Sequence, residues 1–409
     1  MVTDEFIAGE SRYKVLTQNG TTGTVTLISG TDYYDECDDC EIVVIIPDSV
    51  EYEGILYNVT EIGESAFAYY GGLAGIVIPD SVVSIGKNAF YCCEDLKSVK
   101  IGKGVTAIGE KVFGRCKSLT SIRIPDNVSY IGTYAFIRCI SLKSVTIPDS
   151  ITTIGDGAFI GCENLESVTI GKRVTSIEYN AFGGCINLTS ILVSLSNLTY
   201  SSVDGVLFNK EQTRLIQYPH GKELDTYIIP DGVISIGNDA FNNCGCLASV
   251  IIPDSVTSIE DWGFSGCLGL ISISVSPSNP KYSSIDGVLF NKDQTRLIQY
   301  PPEKKLDTYI IPNSVTSIGN SAFCSCISLE NVTISDSVTF IGEDAFSNCE
   351  NLKSVYYKGD VPSAKDIYKE TPVSLISYYP MGNSSWENKI KGGKWQNRRA
   401  VAWDPDSEE

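Results

Sequence analysis

The chain is 409 residues long, 43% hydrophobic, with a formal net charge of −19 and a pI near 4.5. That acid surplus excludes nucleic acid as a partner, since affinity for a phosphate backbone comes mainly from Lys and Arg. It also disfavours anionic membrane surfaces, and its plain role is to keep a long molecule soluble. No segment approaches the ~18 consecutive apolar residues of a membrane span, so direct membrane insertion is not expected.

In chain order, "MVTDEFIAGE" has no basic segment followed by an apolar core and does not read as a signal peptide. Either the protein stays inside the cell or the chain begins after a cleaved leader. "YKVLTQNGTTGTVTLISG" alternates around a Gly-rich turn and reads as a hairpin closing one end of the core. "CDDC" (Cys37–Cys40) has no second pair nearby, and its acidic neighbours would raise the thiol pKa. A local disulfide or a plain loop is therefore favoured there over a zinc or redox site.

From Phe67 a repeat takes over. Phe67, Phe90, Phe113, Phe136, Phe159 and Phe182 are spaced by 23 residues, followed by the pairs Phe241/Phe264 and Phe323/Phe346. An isoleucine lies five residues before each, and a cysteine follows three residues after nine of the ten. One unit folds on paper. In Leu142–Pro148, Val145 and Ile147 share one face and Ser144 and Thr146 the other, as in a strand. Pro148 ends the donor ladder because it has no N–H. "SITTIG" makes a second extended piece, and "DGAFIGC" a single helical or 3₁₀ turn capped by Asp156. Ile151, Ile154, Ala158, Phe159, Cys162 and Leu165 then point inward. One such unit cannot bury these side chains alone, but stacking parallel strands ~4.8 Å apart makes a continuous core.

Periods of 20–29 residues with a leucine-spaced strand mark leucine-rich solenoids. Units such as "IPNSVTSIGNSAFCSCISLENVTI" (Ile311–Ile334) resemble the BspA-like (treponemal-type) class of leucine-rich repeats over residues 47–357. The resemblance implies a secreted or surface-attached bacterial adhesion or binding module without catalytic residues.

Two insertions interrupt the period: "YSSVDGVLFNKEQTRLIQYP" (Tyr200–Pro219) and "YSSIDGVLFNKDQTRLIQYP" (Tyr282–Pro301). Val203 and Ile285 precede Phe208 and Phe290 by five residues, so these read as modified turns. Each is extended by a hairpin at "NKEQT" or "NKDQT". The tail beyond Tyr357 loses the skeleton, carries Trp386, Trp395 and Trp403, and is expected to fold over the last turn; "DPDSEE" reads as disordered. The expected fold is thus a β-rich, curved solenoid of about 12 turns with a parallel sheet, short helical turns, two hairpin-extended repeats and end caps. Its segments are an N-terminal cap over 1–54, a solenoid over 55–357 with extended repeats near 188–224 and 270–306, and a C-terminal cap and tail over 358–409.

Chemistry is sparse. The single histidine, His220, lies in a "YPHGKE" turn and reads as a solvated surface residue. Most hydrolytic and zinc chemistry would need more than that. Nine of the fourteen cysteines belong to the internal ladder, where Cys acts as a small buried hydrophobe and is expected to be a free thiol. Scattered Asp corners (Asp80, Asp126, Asp149, Asp231, Asp254) read as turn caps and solubilisers. No catalytic residues, metal ligands or cofactor site can be assembled, and an enzyme is not expected.

Surface remains. In a leucine-rich solenoid the outward strand positions form rows on the concave side, one of them short hydroxyls from Ser98 to Ser354. The neighbouring row includes Lys100, Arg123, Thr146, Thr169, Leu192, Ile228, Ile251, Ile310 and Tyr356, basic first and apolar in the middle. These residues either simply suit strands or form a strip that binds a protein or glycan, possibly host-derived. Large apolar side chains in such a row mark a contact site or a place that an insertion covers. The expected role is a surface-exposed or secreted binding module; the alternative is an intracellular, cytoplasmic scaffold that self-associates.

Overall fold

The computed structural model describes residues 5–29, 41–260 and 262–404, which fall into two compact units, Met1–Glu211 and Gln212–Glu409. Cys37 and Cys40 lie outside the described residues. The chain forms a β-solenoid of about 15 turns, built on parallel sheets with almost no helix.

In the first unit, two parallel ladders run side by side. Ser144–Ile147 pairs with Ser167–Ile170 and that with Ser190–Val193, each residue facing its equivalent one repeat on. The two-residue strands Tyr130–Ile131, Thr153–Ile154 and Ser176–Ile177 form the second ladder. Alternation does what it should: Val145 and Ile147 are buried and Ser144 and Thr146 exposed. Ile154, Phe159 and Cys162 have no exposed surface.

The third side of each turn was expected to be a single helical or 3₁₀ turn; it has the three-residue bonds of the latter, but only at alternate amides. Ala158, Ile160 and Cys162 donate N–H bonds to residues three earlier, while Gly157, Phe159 and Gly161 donate to Tyr179, Ala181 and Gly183 of the next turn. Gly157 and Gly161 have positive φ (55° and 71°), which re-aims alternate amides outward. A helix would keep every amide inside its own turn. This alternation shares them between neighbouring turns, so the side without a sheet is still cross-linked by backbone.

Inside, the rings of Phe67 through Phe182 stack with centroids 5.1–5.7 Å apart. The ladder thiols do more than fill space. Cys93, Cys116, Cys139, Cys162 and Cys185 each donate Sγ–H to the carbonyl of the Phe 26 residues earlier, at 3.0–3.3 Å. All are free cysteines, and burial pushes the Cys93 and Cys185 thiols up to about 12.

The N-terminal hairpin Ser11–Asn19/Thr22–Ser29 joins the solenoid by pairing Thr22–Ser29 in parallel with Ile55–Ile62. In the second unit the extended repeat is a three-stranded antiparallel meander, not a single hairpin. Tyr282–Ile285 turns at Asp286–Gly287 into Val288–Asn291, which turns again into Arg296–Gln299. Both central residues of the first turn have positive φ (49° and 79°), the conformation that suits Asp-Gly in a two-residue hairpin. Arg296–Gln299 then rejoins the parallel ladder against Ser317–Ile318.

Phe290 is buried, but the ring that continues the Phe stack here is Tyr300, 5.1 Å from Phe323 and 23 residues before it. Tyr218 stands likewise 5.4 Å from Phe241. The modified turns are therefore centred on Tyr218 and Tyr300 rather than on Phe208 and Phe290.

The C-terminal segment covers the turn that ends at Tyr357 by continuing the ladder. Ile376–Pro380 and Arg398–Trp403 extend the parallel ladder from Ser354–Tyr357. Together with Ile42–Ile45 at the other end, such strands raise the turn count above the 12 read from the Ile–Phe skeleton, because parallel pairing needs backbone groups and not that skeleton. Tyr368 takes the place of the next Phe, and buried Trp386 and Trp395 close the end of the core. Arg398 finishes the cap by donating from Nη2 to the carbonyls of Tyr368 and Thr371, both at 2.9 Å.

His220 is not a solvated residue. Its ring is buried, with Nε2 3.2 Å from Gln217 Nε2 and no hydrogen-bond partner at Nδ1.

Candidate functional site

The strands that build the ladders also space the row of outward residues. In the first unit Val77 faces Lys100, and Thr146, Thr169 and Leu192 stand in adjacent register. Arg123, exposed, lies beside the Ser121–Ser144 bridge that links the two groups. In the second unit Ile228 faces Ile251, and Ile310 faces Thr333, Tyr356 and then Tyr378. Lys100, Thr146 and Thr169 are exposed, while Ile251 and Tyr356 are half-buried.

Apart from Ile251, the aliphatic members are open to solvent. Leu192 is 49% exposed, Ile228 64% and Ile310 65%. The meanders do not lie across them. The Asp286–Gly287 turn abuts the edge of Ser272–Val275 instead, where Ile273 N–H donates to the Gly287 carbonyl at 2.9 Å. Its first-unit counterpart does the same, with Ile191 N–H donating to Gly205. Tyr356 is the exception in the row: it stacks on Tyr378 at 4.6 Å and meets Trp403 edge-on at 5.0 Å, so the C-terminal strands occupy it.

One surface escaped the sequence reading. In the second unit a groove of about 380 Å³ opens beside the meander, lined by Trp262, Tyr282 and Arg296 among others. Its signal was present in "EDWGF", where a tryptophan stands two residues before the ladder Phe. Asn88, Asn180, Asp239 and Ser321 hold the equivalent position in other repeats.

Among the described residues no group of three or more His, Cys, Asp or Glu side chains is placed to hold a metal ion, and no helix is long and apolar enough to cross a membrane.

The family model described as BspA type Leucine rich repeat region matches six times, over residues 60–189, 218–303 and 300–369. Among solved structures, a leucine rich cell surface protein from Faecalibacterium prausnitzii is 32% identical; the match covers 87% of this chain and 95% of that one, with a TM-score of 0.62. The pneumococcal vaccine antigen PcpA shares the fold at 24% identity and a TM-score of 0.68, over 98% of this chain and 99% of its own. A leucine-rich repeat protein from Bacteroides ovatus does so at 23% and 0.53, over 98% and 100%. No curated protein matches the chain. The 23-residue period, the Phe and Cys ladders and these matches agree: the chain belongs to the BspA-type leucine-rich repeat family.

Proposed function

We propose that this chain is a non-catalytic binding or adhesion module, displayed on or secreted from a bacterial cell. It would take a protein or glycan partner, of host origin, on the outward positions of its longer parallel strands. The observation that carries this is the exposure of Ile228 and Ile310, each about two-thirds open at the same register position of two separate parallel sheets. Apolar side chains exposed together mark contact sites, whereas single ones are ordinary surface. Strand propensity alone favours isoleucine here too, so exposure needs a functional test. The similar Faecalibacterium chain is described as a cell surface protein, which supports display outside the cell.

The test is a binding screen of the purified chain against immobilised extracellular proteins and glycans, run beside sedimentation analysis. Saturable binding to a member of either class is the expected result. No saturable binding, combined with concentration-dependent self-association, would replace this reading with the scaffold.

A further inference from the structure

The groove beside Trp262 has the composition of a saccharide site, and its charge is set by a broken symmetry between the two meander repeats. Arg214, which opens the last strand of the first copy, pairs with Glu260 at 2.8 Å, 46 residues further on. Arg296 holds the equivalent place in the second copy. The same offset from Arg296 reaches Gly342, which has no side chain to offer. Among the described residues no carboxylate pairs with Arg296, which stands exposed on the groove. Lys281 adds a second exposed cation to the lining. Glu260 lines the groove as well, but its carboxylate is engaged by Arg214 and by the Asn238 N–H at 3.2 Å. Among the described residues, Arg296 and Lys281 are thus left without a counterion on the groove, on a chain of net charge −19.

Trp262 supplies the other half. It is 45% exposed, and its backbone sits at φ 55°. The fold imposes that left-handed conformation on this position in other repeats too, where Asn88 and Asn180 have φ of 57° and 52°. Lys111 and Tyr134 also adopt it, at 54° and 56°, so the position accepts a large side chain, though asparagine pays least for the conformation. Burial does not explain the choice either, since the ring stacks on no other aromatic among the described residues. The electron-rich face of an exposed indole is a platform for the weakly positive C–H groups of a pyranose ring. Arginine grips a carboxylate through two parallel N–H bonds.

We propose that this groove binds a carboxylated sugar, Trp262 stacking on the ring and Arg296 pairing with the carboxylate. The repulsion of the acidic chain as a whole does not forbid it, because at physiological ionic strength charges beyond about 8 Å are largely screened. The site rests on the reading of the chain as a binding module but not on the strand row, which lies on other sheets.

Trp262 is the exposed member of the four tryptophans, the other three being buried or half-buried, so its emission reports occupancy. The probes are sialyllactose against lactose, and trigalacturonic acid against cellotriose. Sialic acid and uronate are the two sources of the same carboxylate chemistry. At least one acidic probe is expected to shift the emission saturably below about 10 mM, with its neutral counterpart at least about tenfold weaker. Trp262→Asn, carrying a residue that other repeats use at this position, should keep the wild-type Tm and lose the calorimetric binding signal. Arg296→Gln should erase the preference for acid over neutral sugar. Ile228→Asp, on the row, should leave sugar binding unchanged, so failure of the row and failure of the groove are separable. Absence of binding by both acidic probes, or an Arg296→Gln protein that prefers acidic sugar as the wild type does, overturns the proposal.

Discussion

His220 shows how a single side chain turns burial into a pH response. Enclosed in the second unit, its imidazole is pushed down from the ordinary 6.5 to about 4 by desolvation of the charged form. As pH falls through 6.5 the unfolded chain takes up a proton that the folded chain refuses until about 4. Its contribution is therefore full above pH 6.5 and is lost progressively down to about pH 4. The whole span corresponds to about 3 kcal/mol. The second meander carries Pro302 at the equivalent place, so His220→Pro is a natural comparison. Denaturant titrations should show the wild type losing about 2 kcal/mol more than the variant between pH 6.5 and 5, and the lone imidazole NMR signal should stay untitrated above pH 5. An imidazole that titrates near 6.5 would contradict burial. The ladder thiols make a similar point about what sequence conveys. Their inward direction follows from spacing, but the Sγ–H bonds to Phe carbonyls appear only once successive turns are stacked. Thiol labelling of the native protein should be fast at exposed Cys246 and slow at Cys116, Cys139 and Cys162, where burial pushes the thiol well up. After unfolding without reductant, at least nine thiols should react; a bridged Cys116–Cys139 pair would overturn this.

At the scale of the element, the meander depends on one buried amide. Asn279 donates through Nδ2 to the carbonyls of Pro253 and Val256 at 2.7 and 2.9 Å, and its Oδ1 accepts from the N–H groups of Lys281 and Tyr282 at 2.9 and 2.8 Å. All four hydrogen-bonding positions of the amide are used. Asn197 repeats the arrangement in the first unit. Truncation strands two buried carbonyls and two N–H groups, so Asn279→Ala should cost about 3 kcal/mol or more. Asn187→Ala, which loses only an exposed bond to Asn164, should cost less than about 0.5 kcal/mol. Equal melting curves for the two would show that the clip is not structural. The duplicated insertions read from Tyr200 and Tyr282 stop short of Asn197 and Asn279, and a polar residue in a loop does not declare its burial. The Asp-Gly turn was a readable hairpin signal, masked by the Val203–Phe208 spacing that imitated the regular repeat. Tyr218 and Tyr300, 23 residues before Phe241 and Phe323, keep the period with a changed residue. On the third side of the coil the 3₁₀-type turn was legible, but the sharing of alternate amides was not, because only the next turn's carbonyls make that pattern favourable.

For the molecule as a whole, the regular repeats were readable because each inward residue recurs at a fixed interval and parallel in-register stacking preserves that interval as contact. Phe159→Ala should accordingly cost about 3–5 kcal/mol, as a truncation inside a packed stack. The ends were less readable, since strands such as Ile376–Pro380 join the ladder through backbone pairing that no side-chain motif announces. The outward row was legible as positions, and the Trp262 groove was not, because it depends on a meander whose strands pack beside a repeat. The central claim, that the outward row is a binding surface and not merely a set of good strand formers, is tested most directly by Ile228→Asp/Ile310→Asp. Its Tm and its affinity for the partner found in the screen should be measured on the same preparation. Because both side chains are already about two-thirds exposed, the Tm should fall by only a few degrees, while affinity drops at least about tenfold. A variant that folds normally and binds that partner as tightly as the wild type would contradict the account.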